Sequence, residues 1–156
     1  MTTPQGFRDA YRQFCEGGWS SLPGSEKFGG QGLPEVVSAA VGEIWNASNV
    51  SFGLCPLLTQ GAIHALEAGG SEDLKAKFLP KMIAGKWTGT MNLTEPHAGS
   101  DLGPLSTRAE PQGDGTYRIT GTKIFITYGE HDLAENIVHL VLARLPNAPA
   151  GTRGIS

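Results

Sequence analysis

The hydrophobic pattern of this chain changes its period near Lys86, and that change limits the folds open to it. Before Lys86, apolar residues recur at three- and four-residue spacing, as on one face of a helix. After it they form short runs rich in β-branched and aromatic residues, which favour strands. We therefore predict an α+β fold class: a helical bundle fragment over residues 1–86, then an antiparallel β-sheet or partial β-barrel over residues 87–156.

The helical part of the sequence predicts three helices between residues 34 and 85. The first follows Pro34, and the second runs from Leu54 to Leu66. The third begins after Ser71, a typical N-cap, and Pro80 predicts a break or kink inside it. The spacing also predicts a helical stripe on the first helix, formed by Leu33, Val37, Ala40, Val41, Ile44 and Trp45, and an inner face on the third, formed by Leu74, Phe78 and Met82.

The second part of the sequence predicts strands joined by turns. The pair Asp114-Gly115 lies between two strand-like runs and favours a β-hairpin. The predicted strands are Trp87–Leu93, Ser106–Glu110, Thr116–Thr120, Lys123–Tyr128 and Ile137–Leu145.

Composition excludes several classes of function. The 12 Lys and Arg against 15 Asp and Glu give a net charge of −3, so no basic balance favours nucleic acid. No run of about 18 apolar residues predicts a membrane span, and the first residues do not resemble a signal peptide. Cys15 and Cys55 are too few for a disulfide framework. We expect two reduced thiols and a cytoplasmic protein, although a bridge between the two remains an alternative.

The segment 91–104 gathers polar residues and glycines in a loop after the first strand. Gly99 would let the backbone approach a ligand closely, with free N–H groups pointing at it. The alternative is a capped turn, in which Ser100 and Asp101 bond their own backbone. The residues alone leave both interpretations open.

The motif Leu93-Thr94-Glu95-Pro96-x-Ala98-Gly99-Ser100-Asp101 resembles the signature of the acyl-CoA dehydrogenases. Four further stretches resemble the same family: Phe28–Pro34, Gly70–Lys86, Asp114–Thr127 and Gly151–Ser156. The resemblance implies that residues 1–86 are part of the family's N-terminal helical domain and residues 87–156 part of its middle β-domain. Both would be incomplete, so we expect the chain to be a fragment.

The resemblance also implies FAD as cofactor and the oxidation of an acyl-CoA thioester to the trans-2-enoyl form. The implied flavin-binding residues are Met91, Asn92, Leu93, Thr94, Gly99, Ser100, Phe125, Ile126 and Thr127, with Ser100 also near the substrate. No residue here matches the catalytic glutamate, which lies in the family's C-terminal bundle. Other implied partners are an electron-transfer acceptor and further copies of the parent protein, as a dimer or tetramer.

The chain departs from the common family pattern in three places. Phe125 stands where well-known members have tryptophan, and Pro104 replaces a small residue. The loop 128–136 is longer and more polar than usual, and it resembles a subgroup acting on 3-methylthiopropanoyl-CoA or similar short acyl-CoAs.

Three alternatives were weighed against this interpretation. One is a DNA-binding or non-catalytic flavoprotein of the same fold, of the alkylation-response type, which the absence of a basic cluster disfavours. Another is a nucleophilic Cys55, beside which the sequence places no histidine. The third is a metal site, for which the ligand types are Glu130, His131, Asp132, Glu135 and His139. A predicted strand from Ile137 disfavours that site.

Overall fold

The computed structural model describes all 156 residues, Met1–Ser156. Its helices are α1 (Phe7–Glu16), α2 (Glu35–Gly69) and α3 (Glu72–Ile83), and its strands are β1 (Trp87–Asn92), β2 (Arg108–Pro111), β3 (Tyr117–Thr120) and β4 (Asn136–Val141). Short 3-10 helices lie at Trp19–Ser21, Glu26–Phe28 and Thr152–Gly154. The α+β fold class is confirmed, and the strands do not close into a barrel.

The chain divides into two compact units. The first, called the helical unit here, contains Met1–Thr90 and Thr127–His139. The second, called the loop unit, contains Met91–Ile126 and Leu140–Ser156. The division into family domains at residue 86 stays a prediction. No helix offers a stretch that is both long and apolar enough to cross a membrane.

Helix α2 contains the first two predicted helices, separated by one residue. Asn49 has extended backbone angles (φ −159°, ψ 95°), and its side-chain oxygen accepts a hydrogen bond from the N–H of Phe52 at 3.1 Å. This is the geometry of an N-cap, in which the side chain satisfies a backbone N–H of the first turn. Asn49 therefore starts a new helical segment directly behind the old one.

The two segments of α2 differ in burial. All the buried residues of α2 lie after Asn49: Phe52, Gly53, Cys55, Thr59, Ala62, Ile63 and Leu66. In the first segment Val37 and Ile44 are exposed, while Val41 and Trp45 are half-buried. The predicted apolar stripe therefore lies on the first segment, where its residues are exposed or half-buried because little within this chain packs against them.

An aromatic cluster forms part of the core of the helical unit. Phe14 and Tyr11 of α1 are buried against Phe52 of α2, with the Phe14 and Phe52 ring centroids 5.8 Å apart in an edge-to-face arrangement. Edge-to-face pairs of this kind add to the stabilisation that comes from burying the rings. The Tyr11 hydroxyl donates a hydrogen bond to the carbonyl of Gly85 at 2.9 Å, so its one polar atom is satisfied inside this core. The cluster thus ties α1 to α2 and to the end of α3.

Helix α3 begins at its predicted cap but continues through the proline at which a break was predicted. The Ser71 hydroxyl accepts a hydrogen bond from the N–H of Leu74 at 3.3 Å. The break predicted at Pro80 is wrong, because the helix continues to Ile83 with no non-helical residue. Pro80 removes only one hydrogen bond near the helix end, and its neighbours Leu79 and Met82 are fully buried. Packing outweighs the lost bond.

The predicted hairpin is confirmed, and two other strand predictions need correction. Strands β2 and β3 pair antiparallel from Arg108 opposite Thr120 to Pro111 opposite Tyr117, while β1 and β4 form a second two-stranded sheet. The strand predicted over 123–128 is wrong, because Phe125 and Tyr128 adopt positive φ (56° and 52°), which no strand tolerates. The strand predicted over 137–145 ends early, at Val141.

The inner face of α3 can be tested with a matched pair of variants. Leu79 is fully buried, whereas Leu74 on the same helix is 45% exposed. We expect Leu79→Ala to lower the free energy of unfolding by about 2–5 kcal/mol, because it leaves a cavity. Leu74→Ala should change it by about 0.5 kcal/mol or less. Urea unfolding followed by circular dichroism measures both, and equal losses would contradict this assignment of the buried face.

Candidate functional site

The predicted flavin segment begins where β1 ends. Asn92 is the last residue of that strand, and Leu93 and Thr94 continue it as half-buried, irregular chain. Glu95 and Ala98 then exchange two backbone hydrogen bonds, of 2.9 and 3.1 Å, around Pro96. This tight turn brings the next two residues, Gly99 and Ser100, to an exposed position.

The Glu95 carboxylate is the best-satisfied polar group in the loop unit. The residue is only 2% exposed. Its Oε2 accepts hydrogen bonds from the N–H and the hydroxyl of Ser106, both at 2.8 Å. Its Oε1 accepts from the N–H of Thr107 at 2.9 Å, from the Thr107 hydroxyl at 2.5 Å and from the Lys123 ammonium at 3.1 Å. Buried carboxylates are stable only with such a complete set of donors.

These contacts keep Glu95 ionised. Burial by itself raises the pKa of Glu95, but the hydrogen bonds from Thr107 and Ser106 outweigh it and hold the pKa well below its usual range. A carboxylate in this state is a poor proton acceptor near neutral pH, so it fits a structural anchor and not a catalytic base. Its contribution to stability is present above the unfolded-state pKa of about 4.3 and is lost as the pH falls below that value.

The second predicted flavin segment lies beside the first within the loop unit. The N–H of Ile124 donates to the carbonyl of Thr94 at 3.0 Å, and the ammonium of Lys123 donates to the carbonyl of Leu93 at 2.9 Å. Residues 93–94 and 123–124, which are far apart in sequence, are therefore joined by one backbone–backbone and one side-chain–backbone hydrogen bond.

Phe125 follows this junction with an unusual backbone. Its φ is 56°, and 88% of its surface is exposed. A bulky residue in the left-handed region is strained, and such strain often occurs at functional sites. Ile126 is half-buried. Thr127 belongs to the helical unit, where its carbonyl accepts a hydrogen bond from the Thr90 hydroxyl at 2.9 Å.

The loop after the tight turn contains part of the capped turn that the sequence offered as one interpretation. Asp101 bonds its own backbone, since its Oδ1 accepts from the N–H of Gly103 at 2.8 Å. Among the hydrogen bonds of this segment, none uses the N–H of Gly99 or Ser100. A Cβ built on Gly99 would meet only the Thr94 methyl group, at an ordinary 3.8 Å. Neither neighbouring atoms nor a positive φ therefore requires glycine at position 99.

The polar loop 128–136 is held by the helical unit. Asp132 accepts from the backbone and the hydroxyl of Thr3 at 3.0 and 2.7 Å, and the Tyr128 hydroxyl donates to the carbonyl of Ser51 at 2.5 Å. Glu130 pairs with the N-terminal ammonium at 2.7 Å. No group of three or more His, Cys, Asp or Glu side chains in the structure is arranged to hold a metal ion. Of the candidate ligands, Glu130, His131 and Asp132 bond to other groups of the protein.

An apolar groove of about 540 Å³ lies within the helical unit. Both segments of α2 line it, and Trp19 and Leu22 complete its wall. Two polar atoms among its lining residues, Ser38 Oγ and Gln60 Oε1, are buried without a hydrogen-bond partner. Buried polar atoms of this kind are costly unless another group satisfies them. No short sequence motif predicts this groove, because its lining residues are spread over residues 14–64.

Neither cysteine is placed for nucleophilic catalysis. Cys15 and Cys55 are both free thiols. Burial, followed by the nearby Cys15, raises the pKa of Cys55 to about 12, so its thiol stays protonated near neutral pH. Asn49 caps the helical segment that contains Cys55, so the thiol lies more than one turn from that helix end.

Comparison with known proteins identifies a family for most of the helical part. Residues 2–86 match the model for "Acyl-CoA dehydrogenase, N-terminal domain". The whole chain is 62% identical, over 156 residues, to 3-methylmercaptopropionyl-CoA dehydrogenase from Ruegeria pomeroyi, of which it covers 26%. It is 44% identical, over 157 residues, to a butyryl-CoA dehydrogenase from Syntrophomonas wolfei, again covering 26% of that protein.

A solved structure agrees with these sequence matches. A crystal structure of an acyl-CoA dehydrogenase complexed with FAD, from Bacillus anthracis, aligns with a TM-score of 0.79 and 28% identity. That alignment covers 89% of this chain and 24% of the other. The chain thus spans about a quarter of the length of the curated relatives it matches.

The anchoring of Glu95 can be tested with a second pair of variants. Thr107→Val removes one hydroxyl donor to the buried carboxylate at nearly constant volume. We expect a loss of about 1.5–3 kcal/mol in the free energy of unfolding, because hydrogen bonds to charged groups are the strong ones. The control is Thr116→Val, which removes a hydroxyl that donates to Asp114 at 2.6 Å on the exposed hairpin. Its effect should stay within about 0.5 kcal/mol, and a comparable loss in both variants would refute the anchor.

The loop 128–136 should make stability depend on pH through His131. The N–H of Leu133 donates to Nδ1 of His131 at 3.1 Å, and Nε2 lies 3.0 Å from the Thr88 hydroxyl, so the ring is neutral with its proton on Nε2. Burial, assisted by the N-terminal ammonium and opposed by Asp132, lowers the pKa of His131. Protonation of His131 would put an N–H at Nδ1 directly opposite the N–H of Leu133.

Because this pKa is lower in the folded chain than in the unfolded one, the unfolded chain binds more protons as the pH falls. We expect the unfolding free energy to decrease as the pH drops below about 6.5, the unfolded-state value. Urea titrations between about pH 5 and 7.5 on the wild type and on His131→Asn measure this effect. The unfolding free energy of the variant should depend less on pH than that of the wild type. An identical dependence in both proteins would rule out His131 as its source.

Proposed function

This chain belongs to the acyl-CoA dehydrogenase family, and on that premise we propose that it supplies part of the flavin site of an FAD-dependent enzyme. The proposed reaction oxidises the Cα–Cβ bond of an acyl-CoA thioester to the trans-2-enoyl form. Two hydrogens leave the substrate, one as a proton and one as a hydride. When bound, FAD supplies the acceptor for the hydride.

One observation carries the proposal. The segments 91–100 and 123–126 lie side by side in the loop unit, joined by the hydrogen bonds of Ile124 to Thr94 and of Lys123 to Leu93. Binding a planar ring system requires contacts with its edges and its faces, and these contacts come from more than one stretch of chain. The junction joins two such stretches: the half-buried residues 93–94, and residues 123–124 directly before Phe125, which is exposed.

The residues present also fit the phosphate part of FAD. The N–H groups of Gly99 and Ser100 are exposed and unused, and backbone N–H groups of this kind bind phosphate oxygens well. The chain itself gives no steric reason for glycine at position 99. Close approach of a bound group is the reason we assign to it.

Each residue then has a proposed role. Met91, Asn92, Leu93 and Thr94 line the flavin ring and its pyrimidine edge, while Gly99 and Ser100 bind the pyrophosphate, with Ser100 also near the CoA thioester. Phe125 and Ile126 contact the ring. Hydrogen bonds at these positions favour the electron-rich reduced ring. No residue of this chain is assigned the base that removes the α-proton.

The proposed substrate is a short acyl-CoA similar to 3-methylthiopropanoyl-CoA. The relative from Ruegeria pomeroyi, at 62% identity over the whole chain, supports that class. An apolar acyl group requires an apolar cavity, and the groove along α2 is the candidate within the helical unit. We further propose an electron-transfer acceptor, a homo-oligomeric parent protein and a cytoplasmic location, the last on the ground of two free thiols.

Flavin binding by the chain itself tests the proposal. The chain is expressed, mixed with FAD and separated from free cofactor, and its absorbance is recorded between about 350 and 500 nm. We expect retained flavin in the wild type. Phe125→Ala should weaken the binding by about tenfold or more, because base-like rings gain about 1–3 kcal/mol from stacking on an aromatic side chain. Tyr117→Ala is the matched control, since Tyr117 is also exposed but lies on the hairpin.

Two results would count against this function. A folded but colourless chain would show that the two segments do not form a flavin site by themselves. Oxidation of an acyl-CoA by the isolated chain, with FAD and an artificial electron acceptor, would show that it already contains a base.

A further inference from the structure

We propose that Lys123 and Glu95 form a positioning pair that fixes the two proposed flavin segments relative to each other. The pair is distinct from the residues assigned to the cofactor, and the proposal rests on the proposed function only where it names what those segments bind. Both residues lie in the loop unit.

The geometry of Lys123 is unusual for a lysine. Its side chain is only 9% exposed and that of Glu95 is 1% exposed. The ammonium donates to Glu95 Oε1 at 3.1 Å and to the carbonyl of Leu93 at 2.9 Å. One buried cation therefore contacts both the anchor of the first segment and its flavin-facing backbone.

Glu95 does not need Lys123 for its hydrogen bonds. Ser106 and Thr107 already give its two oxygens four donors. Burying an ammonium costs desolvation energy, and an apolar side chain of similar length would often be as stable or more so. The charge of Lys123 therefore has a benefit other than stability. Its contacts indicate that it holds the two segments in a fixed relative position.

The position that the pair fixes is that of Phe125. The restraint acts through Ile124, which lies between Lys123 and Phe125 in the sequence. The N–H of Ile124 donates to the carbonyl of Thr94 at 3.0 Å, and Phe125 follows with a strained φ of 56°. A residue held in a strained conformation persists only when its surroundings over-determine it. Without the ammonium, one hydrogen bond alone would hold this junction, and the backbone at Phe125 would lose one of the two neighbouring contacts that restrain it.

The test uses three variants of the chain. Lys123→Met removes the charge and keeps the length, and it leaves Glu95 with its four other donors, so the fold should survive. Lys123→Arg restores a cation that can reach both acceptors. Arg118→Met, on exposed strand β3, is the control for loss of a positive charge in the same unit.

Amide hydrogen exchange without flavin gives the first readout. In Lys123→Met we expect exchange in residues 91–100 and 121–126 to become faster by about tenfold or more, with the β2–β3 hairpin unchanged. Lys123→Arg should return exchange to within about threefold of the wild type. Faster exchange over the whole unit, hairpin included, would mean that the pair only stabilises the fold and would overturn the proposal. Unchanged exchange would overturn it as well.

FAD affinity gives the second readout, by quenching of flavin fluorescence. Lys123→Met should raise the dissociation constant by about tenfold or more, Lys123→Arg should rescue it, and Arg118→Met should leave it unchanged. An unchanged affinity in Lys123→Met would overturn the link to the cofactor. If the wild-type chain retains no flavin, the proposed function fails for this chain, and the exchange pattern alone still decides whether the pair positions the segments.

Discussion

The loop unit depends on the buried carboxylate of Glu95. An ionised group can remain in the interior only if its oxygens are fully hydrogen-bonded, and Ser106, Thr107 and Lys123 supply those bonds. This requirement ties the loop after β1 to the start of the next strand and to the segment before Phe125. The exposed positions of Gly99 and Ser100 follow from it, because the tight turn that presents them begins at Glu95. The loop that contains Gly99 and Ser100 is thereby held in place by a buried charge.

The helical unit has a different organising principle. Its core is a cluster of aromatic rings from α1 and α2, closed by one buried tyrosine hydroxyl that donates to Gly85. Only the second segment of α2 is buried, while the first leaves apolar side chains such as Val36 and Ile44 exposed. The unit therefore combines a rigid interior with an open groove, in which Ser38 and Gln60 keep buried polar atoms without partners. That combination is typical of a surface that holds a ligand, since a packed core would have excluded those atoms.

The family match and the proposed flavin residues lie in different parts of the chain. The match to the acyl-CoA dehydrogenase N-terminal domain covers residues 2–86, whereas the proposed flavin residues lie beyond it, from Met91 onward. The proposed flavin site is therefore supported by the motif at Leu93–Asp101 and by the junction of residues 93–94 with residues 123–124. The departure at Phe125 is consistent with this argument, because an exposed phenylalanine still offers an aromatic face although it lacks the indole N–H.

The sequence by itself determined the features that depend on local physics. The change of period at Lys86, the cap at Ser71 and the hairpin at Asp114-Gly115 are set by neighbours within a few residues, and all three occur in the structure. The motif also predicted flavin contacts from the segment 91–100 and from Phe125–Thr127, which stay predictions. The sequence could not decide which apolar residues are buried, and so it placed Leu74 inward although Leu79 is the buried residue.

Only the tertiary structure decided the rest. Pro80 stays helical because buried neighbours outweigh one missing hydrogen bond. The strand predicted at 123–128 is absent because Phe125 and Tyr128 adopt positive φ angles. The role of Glu95 needs partners 11, 12 and 28 positions away. Periodicity contains no information on such contacts, because they arise only when the folded chain must satisfy a buried charge.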